Sequence, residues 1–251
     1  MRHNGKANLP AAILVFALLM VWQAAAMGVG AAYILPSPVQ VLRRLWELRG
    51  PLFTAHLPAT LQVVVVGLAI SIVLGLGLAV LMDASATAKK ALYPLIIASQ
   101  TIPTTALAPL FVLWFGYSVW SKVLVTVLMT FFPVAITVFD GFQGVKTEMQ
   151  ELMLTFGASK KQIFLKLKIP AMLPYFFSAL KMAIPLSVIG AAIGEWLGAQ
   201  SGLGYFSRRM MTQLDGAGVF APILLLSLAA MGMVAVVSAV ERRVITWRSE
   251  L

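Results

Sequence analysis

Residues 151–170 read ELMLTFGASKKQIFLKLKIP and carry four lysines, Lys160, Lys161, Lys166 and Lys168. The chain as a whole is far more apolar: 60% of its 251 residues are hydrophobic, 11% are charged, and the mean hydropathy is +0.92. A soluble domain is about half apolar and about a quarter charged. The composition therefore indicates an integral membrane protein, in which this segment must face water, an acidic partner or both.

Six apolar runs make up most of the remaining sequence, and each is about as long as the roughly 20-residue helix that crosses a bilayer core. They are Leu9–Leu35, Leu61–Met82, Ala91–Phe115, Val119–Phe139, Tyr175–Leu197 and Val219–Val240. The first continues past the small residues that could end a signal peptide, so we expect it to be a retained span. We predict an all-α, polytopic membrane protein with about six transmembrane helices. Residues 1–251 would form a single transmembrane domain, with a core at 57–245 and a cytoplasmic loop at 146–170.

The basic residues predict the orientation, because cytoplasmic loops of membrane proteins are enriched in Lys and Arg. With the N-terminus inside and six crossings, twelve basic residues lie inside and six outside. The inside set is Arg2, Lys6, Lys89, Lys90, Lys146, Lys160, Lys161, Lys166, Lys168, Arg242, Arg243 and Arg248, and the outside set is Arg43, Arg44, Arg49, Lys122, Arg208 and Arg209. Both termini and residues 151–170 are therefore expected in the cytoplasm. The stretch around Arg43 and Arg44 is expected to be a short amphipathic helix on the outer surface.

Residue usage excludes several kinds of chemistry. The chain has no Cys, and its two histidines are His3 in the terminal tail and His56 in an expected loop. A thiol nucleophile or a metal site built from His and Cys is therefore not expected. The sequence has no GxxxxGK[ST] phosphate-binding loop. The net charge of +10 could suit nucleic acid, but basic cytoplasmic loops explain it better, so we expect no catalytic residues, no metal and no nucleic-acid partner.

A polar stretch, QTIPTTALAP, lies in the middle of the third run. Its prolines, Pro103 and Pro109, free backbone carbonyl groups and bend a helix. Such a stretch suits the wall of a translocation pathway better than a lipid-facing surface, although threonine can also bond to its own helix. The candidate pathway residues are Gln100, Thr101, Thr104 and Thr105, together with Glu195 near the outer end of the fifth run. The structural alternative for Glu195 is an ion pair with Arg208 or Arg209.

Small residues recur at every fourth position of the second run, at Gly67, Ser71, Gly75 and Ala79. This spacing places them on one face of a helix, where they allow two backbones to approach closely. We favour packing within the helix bundle over a dimer seam.

Residues 147–170 are predicted to form two short helices. The capping-box pattern occurs twice, at 147–150 and 159–162, and Pro170 marks the expected end of the second helix. Gly157 would turn the chain between the two. On the second helix Ile163, Phe164 and Leu167 share one face, which lysines surround. An exposed face of this kind fits a groove on a partner protein or, alternatively, an anionic membrane surface.

The spacing of these residues resembles the EAA loop in the transmembrane subunits of bacterial ABC importers. That loop has a Glu, a Gly six residues later, and a hydrophobic–x–hydrophobic–Pro end that finishes thirteen residues after the Gly. The matching residues are Glu151, Gly157, Ala158, Ser159, Leu167, Lys168, Ile169 and Pro170. Leu152 and Met153 depart from the two alanines usual there. The resemblance covers most of the chain from about residue 57, and QTIPTTALAPLFVLWFG, FFP at 131–133 and EWLGAQSGLGY are similar to the nitrate, sulfonate, taurine and thiamine-precursor branch.

The resemblance implies a role in ATP-driven import across the bacterial inner membrane. In such importers two permease subunits, here a homodimer surrounded by membrane lipid, form the pathway. Two cytoplasmic ATPase subunits bind ATP and Mg, so that this chain needs no cofactor of its own, and a periplasmic or lipid-anchored binding protein delivers the solute. By the same resemblance, the contacts with the ATPase fall to Glu151, Gly157, Ala158, Ser159, Ile163, Phe164, Leu167 and Pro170.

The solute is expected to be small and polar, with a pyrimidine precursor of thiamine favoured and sulfonate, taurine or nitrate next. An ion-coupled secondary transporter is the main alternative, but it would usually show more buried carboxylates and repeated halves. An intramembrane serine peptidase is a second alternative. The GAQSG stretch at 198–202 offers a serine, but no expected span carries a histidine to act as its base.

Overall fold

A computed structural model describes residues 9–247, and within that range the chain forms ten helices and no β-strand. They are α1 (Leu9–Val29), α2 (Pro38–Glu47), α3 (Arg49–Ala84), α4 (Ala86–Ser99), α5 (Thr104–Phe115), α6 (Val119–Gln143), α7 (Thr147–Thr155), α8 (Lys160–Gly198), α9 (Leu203–Thr212) and α10 (Gly216–Val244). The predicted all-α class is confirmed. Three of the basic residues that predict the orientation lie outside the described residues, namely Arg2, Lys6 and Arg248.

Among the described residues, five helices are long and apolar enough to cross a membrane, namely α1, α3, α6, α8 and α10, and the bent pair α4–α5 is a sixth candidate. We call the end of the bundle that carries α7 the loop end. There Asp83 at the end of α3 bonds to α8, and Lys89 at the start of α4 donates to Gln143 at the end of α6. At the opposite end a methyl group on Gly198 of α8 would overlap Val112 of α5. The α4–α5 pair therefore runs from one end to the other as a broken span, which gives the six predicted crossings.

The third apolar run is broken, so the single bent helix expected there is wrong. α4 and α5 meet at an angle of 94°, and the residues between Ser99 and Thr104 are not helical. Pro103 adopts an extended ψ of 114° and has no N–H, and its ring disfavours the helical conformation of Ile102. Pro109 instead lies inside α5. Pro103 thus marks the break before α5, and Pro109 is accommodated within α5.

The centre of the bundle is a three-helix layer in which α6 lies between α3 and α8. A Cβ on Gly67 or Gly75 of α3 would lie within 2.6 Å of Thr126 or 2.7 Å of Val134, respectively. On the other side of α6, a Cβ on Gly190 of α8 would lie 2.9 Å from the Cα of Thr126. The hydroxyl of Ser71 bonds to Thr130 of α6. The small residues of the second run therefore pack against a helix of the same chain, as predicted.

Two helices contain a π-helical turn just before a proline. In α3 the turn Leu52–His56 precedes Pro58, and in α8 the turn Phe164–Lys168 precedes Pro170. In both, the residue before the proline donates its N–H to the carbonyl five residues earlier. This wider turn lets the helix pass a residue that has no N–H to donate. The helix end that was expected at Pro170 is therefore wrong, because α8 continues through that residue.

α1 and α2 lie at the periphery of the bundle. Ala26 is the one buried residue of α1, and Trp22 contacts Phe220 near the start of α10, with ring centroids 5.8 Å apart. α2 starts with a capping box at Ser37. Its Arg44 forms an ion pair of 2.8 Å with Asp215, which precedes α10. These contacts put α2 and the C-terminal end of α1 at the end opposite the loop end.

Candidate coupling segment and translocation pathway

A glycine turn separates the two helices of the segment at 146–170. Ala158 N–H donates to Met153 O and Gly157 N–H to Leu154 O, both at 2.9 Å, which is the Schellman arrangement at a helix C-terminus. Gly157 has a φ of +79°, a backbone conformation that costs free energy for residues with a Cβ. The capping box at Ser159 and Gln162 is confirmed. The one expected at Thr147 is wrong, because Lys146 is the N-cap and has no side-chain cap bond.

Most of the exposed apolar side chains of this segment lie on α7 or directly after it, and Leu165 in the first turns of α8 is also half exposed. Phe156 is 83% exposed, and Met149, Leu152 and Leu154 are about half exposed. By contrast Ile163 is buried, and Phe164 packs on Phe142 of α6 with ring centroids 5.6 Å apart. Of the other resemblance-derived residues, Glu151, Gly157 and Ser159 are exposed, and Ala158, Leu167 and Pro170 are half-buried. The expected exposure of Ile163 and Phe164 is therefore wrong, because α8 is one continuous helix and its first turns extend its buried face.

One of the four lysines is bound within the chain. Lys168 Nζ lies 2.8 and 2.9 Å from the two carboxylate oxygens of Asp83, at the end of α3. Lys160, Lys161 and Lys166 are exposed. A cavity of about 550 Å³ beside this ion pair is lined by residues that include Asp83, Leu154, Lys160 and Phe164. The segment therefore presents apolar side chains and free lysines on its outside and is joined to α3 on its inside.

The break between α4 and α5 is exposed at its polar positions. Gln100, Thr101 and Thr105 are exposed and Thr104 is half-buried. The hydroxyl of Thr101 donates to Ala98 O at 2.7 Å, so this side chain bonds the last turn of α4 and is otherwise exposed. Thr105 also lines a largely apolar cavity of about 660 Å³ between α5, α8 and α10, together with Trp196 and Ser227. These candidate residues are thus brought together around one non-helical step.

Glu195 is separate from that group. Its side chain is 1% exposed, and its Oε2 accepts a hydrogen bond of 2.8 Å from Gly204 N–H. Among the described residues it has no ion pair with Arg208 or Arg209, and Arg208 donates to the carbonyl of Trp196 instead. The structural alternative expected for Glu195 is therefore wrong in its partner, since the backbone amide of Gly204 takes the place of the arginine.

Three residues near Glu195 were missed or misplaced by sequence reasoning. His56 lies in the π turn of α3 and not in a loop, and its side chain is buried, as is that of Thr60. Lys122 is 6% exposed within the bundle and not in an outer loop, and its Cβ lies against Gly194. Their polar character within apolar surroundings was the available signal. The positions they contact are distant in sequence, so no local pattern revealed them.

Comparison with known proteins supplies the family. A family model described as "Binding-protein-dependent transport system inner membrane component" matches residues 71–246. This chain belongs to that family. The permease is a membrane-spanning translocation subunit of an importer that works with a binding protein. The alternative of an ion-coupled secondary transporter is not supported.

Several curated relatives match nearly the whole permease. It is 53% identical to a formylaminopyrimidine transport permease protein of Halalkalibacterium halodurans, over 94% of this chain and 95% of that one. It is 31% identical to a riboflavin transport system permease protein of Chloroflexus aurantiacus, over 96% and 90% of the two chains. It is also 31% identical to a putative aliphatic sulfonates transport permease protein of Bacillus subtilis, over 94% and 87%.

A solved structure shares the fold of the permease. The inward-facing methionine ABC transporter MetNI matches with a TM-score of 0.53 and 20% sequence identity, over 80% of this chain and 95% of that one. At this identity the match supports the membrane-domain fold alone.

Proposed function

We propose that this permease imports a pyrimidine precursor of thiamine, formylaminopyrimidine. One observation carries the proposal: the 53% identity to a formylaminopyrimidine permease extends over almost the full length of both chains. Relatives named for riboflavin, sulfonates, taurine or nitrate are 27–31% identical. Sulfonate, taurine and nitrate therefore rank after the pyrimidine.

Uptake of labelled formylaminopyrimidine tests the solute. The permease would be expressed with its ATPase and binding protein in cells that lack their own importer. We expect saturable uptake that requires ATP and that a hundredfold excess of taurine or nitrate leaves unchanged. Accumulation of taurine or nitrate in place of the pyrimidine would overturn the assignment.

The exposed face of α7 is the proposed contact with the ATPase subunit. Phe156, the residue that follows α7, is the most exposed aromatic side chain of the segment, and the half-exposed Met149 and Leu152 lie seven and four residues before it, on the same side of the helix. Large apolar side chains exposed together in this way favour a groove on a partner protein. The free lysines Lys160 and Lys161 would orient the approach toward an acidic rim. Phe164 instead packs on Phe142 of α6 and, beside the buried Ile163, holds the segment to the bundle.

Two phenylalanine variants separate docking from folding. Phe156→Asp should abolish co-purification of the ATPase and solute uptake, because a carboxylate in an apolar groove costs several kcal/mol, while the melting temperature of the permease stays unchanged. Phe164→Ala should do the reverse, lowering the melting temperature by several degrees and leaving ATPase binding intact at low temperature. Full ATPase binding by Phe156→Asp would contradict this docking surface. The membrane-surface alternative would then gain support if that variant released α7 from anionic vesicles.

The broken span is proposed to line the translocation pathway. Non-helical backbone at membrane depth is tolerated where protein covers it or where it faces a water-filled cavity. Gln100, Thr101, Thr104 and Thr105 surround such a step, and three of them are exposed in the single chain. We place this face at the centre of a permease homodimer, where a second copy would complete the wall around a small polar solute. Membrane lipid covers the outside.

We place the loop end in the cytoplasm of a bacterial cell, with the inner membrane around α1, α3, α6, α8, α10 and the bent pair. The excess of basic residues at the loop end supports this orientation. Both termini would then be cytoplasmic. The binding protein would dock at the opposite end, near α2 and α9.

A further inference from the structure

Three consecutive backbone amides at the start of α9 are bound by side chains of two other helices. Gly202 N–H donates to His56 Nδ1 at 3.1 Å, and Leu203 N–H donates to Thr60 Oγ1 at 2.8 Å. Gly204 N–H donates to Glu195 Oε2 at 2.8 Å. His56 and Thr60 belong to α3, and Glu195 belongs to α8. All three side chains are at least nine-tenths buried.

The first amides of any helix lack an acceptor within the helix, and usually the side chain of the N-cap residue supplies one. The N-cap of α9 is Gly202, which has no side chain and a φ of +116°. A Cβ at this position would overlap the carboxylate of Glu195. The acceptors must therefore come from α3 and α8, and loss of any one leaves a buried amide unpaired.

The helix that supplies Glu195 is the same helix that begins in residues 146–170, which we call the coupling segment. α8 is continuous from Lys160 to Gly198. Glu195 thus lies roughly 50 Å from Lys160, at about 1.5 Å per residue. The start of α8 therefore lies next to the proposed ATPase contact, and its other end binds the start of α9.

We infer that His56, Thr60 and Glu195 are positioning residues that hold α9 to α3 and α8, so that α9 moves with α8 when the ATPase displaces the coupling segment. This rests on the proposed docking of the ATPase at α7. The three bonds fix the N-terminus of α9 in two helices at once, so bending of α8 relative to α3 at this end of the bundle must strain or reorient α9. α9 carries Arg208 and Arg209 on the face where the solute arrives, and the nucleotide state of the ATPase would therefore be sensed there.

The absence of native cysteine makes a single reporter possible. Ser207→Cys places a thiol at a position of α9 that is 2% exposed, and Gln213→Cys places one at an exposed position as a reactivity control. Labelling with a water-soluble maleimide then measures how often α9 leaves its place.

A threonine pair provides matched variants. Thr60 and Thr54 both donate to the carbonyl four residues earlier in α3, but Thr60 alone of the two accepts from α9. Thr60→Val should raise the labelling rate of Ser207→Cys by about tenfold, the change that one lost buried hydrogen bond produces. Thr54→Val should leave the rate unchanged, and Thr60→Ser, which keeps the hydroxyl, should restore it. Equal rates in Thr60→Val and Thr54→Val would overturn the positioning role.

The link to the ATPase is tested in the assembled transporter. We expect the labelling rate of Ser207→Cys to differ at least threefold between the nucleotide-free complex and the complex trapped with ATP and vanadate, and Thr60→Val to remove this difference. The same rate in both states of the otherwise native complex would overturn the movement of α9 with α8. Failure of the ATPase to co-purify would overturn the proposed docking and this movement with it, whereas the threonine comparison in the permease alone would still decide the positioning role.

Discussion

Gly157 occupies a backbone conformation with a φ of +79°, and nothing lies within 4 Å of the position that a Cβ would take. Substitution there is thus opposed by backbone strain and not by collision. Gly157→Val should cost about 1–2 kcal/mol in this left-handed conformation and change the angle between α7 and α8, while Gly157→Asn, which tolerates it, should cost less. We expect Val to reduce ATPase co-purification and Asn to retain it. Equal retention by both variants would show that the turn has no role in docking.

Two glycines of α3 that lie two residues apart make a further test at the level of the residue. A Cβ on Gly75 would lie 2.7 Å from Val134, whereas Gly77 has nothing within 4 Å. Gly75→Ala should therefore destabilise the permease by about 1–3 kcal/mol through overpacking. Gly77→Ala should be neutral or stabilise it by up to about 1 kcal/mol, because alanine favours helix. Thermal unfolding in detergent measures both, and the close approach of α3 to α6 predicts this order.

Among the elements, the broken span offers a test of water access. Thr101 is exposed at the step between α4 and α5, and Leu95 is 65% exposed on α4. If the step faces a water-filled pathway, Thr101→Cys should react with a small charged thiol reagent in membranes, and Leu95→Cys, facing lipid, should react at least tenfold more slowly. Solute added in excess should protect Thr101→Cys. An unreactive thiol at 101 would mean that protein or lipid covers the break.

The ion pair between α3 and α8 is a second connection that can be tested. Asp83 and Lys168 have side-chain exposures of 5% and 17%, so that breaking the pair leaves a largely buried charge and costs about 3 kcal/mol. Asp83→Lys and Lys168→Asp should each reduce solute-stimulated ATP hydrolysis. The double exchange should recover a large part of it, since the attraction is restored with the charges reversed. No recovery would indicate that the position of each charge matters more than their pairing.

Hydropathy located the spanning elements because a helix in lipid needs about 20 apolar residues wherever it points. The same property concealed the break at Pro103, since the run from Ala91 to Phe115 is apolar on both sides of it. The π turn hid the continuity of α8 in a similar way. Pro170 usually signals a boundary, and local sequence does not show that a wider turn can carry the helix past it.

The candidate site was predictable where it depends on neighbours in sequence. Gly157, Ser159 and Gln162 adopt the predicted turn and cap because their partners lie within five residues. Phe164 was oriented wrongly because its direction depends on packing against Phe142 of α6, and the exposure of Phe156 was missed. His56 and Glu195 converge on the start of α9, and His56 is 146 residues from its partner Gly202. Contacts at that separation follow from the fold and leave no periodic pattern.

For the whole molecule, the proposed orientation makes a simple prediction. Gln162 and Gln213 are both exposed and lie at opposite ends of the bundle. In intact cells a membrane-impermeant thiol reagent should label Gln213→Cys and leave Gln162→Cys unlabelled until the membrane is opened. Labelling of Gln162→Cys from outside would reverse the orientation and place the proposed ATPase contact on the wrong side.

The two π turns have a mechanical consequence. The turn in α3 lies toward the end opposite the loop end, and the turn in α8 lies at the loop end. Between them, the glycine contacts of Gly67, Gly75 and Gly190 with α6 leave almost no clearance, so the middle of the molecule resists compression and sliding. Compliance is then concentrated at the ends, where a helix can change direction without a loop. A force applied at the loop end would be transmitted through the rigid layer of α3, α6 and α8, and it would bend the helices near the opposite surface.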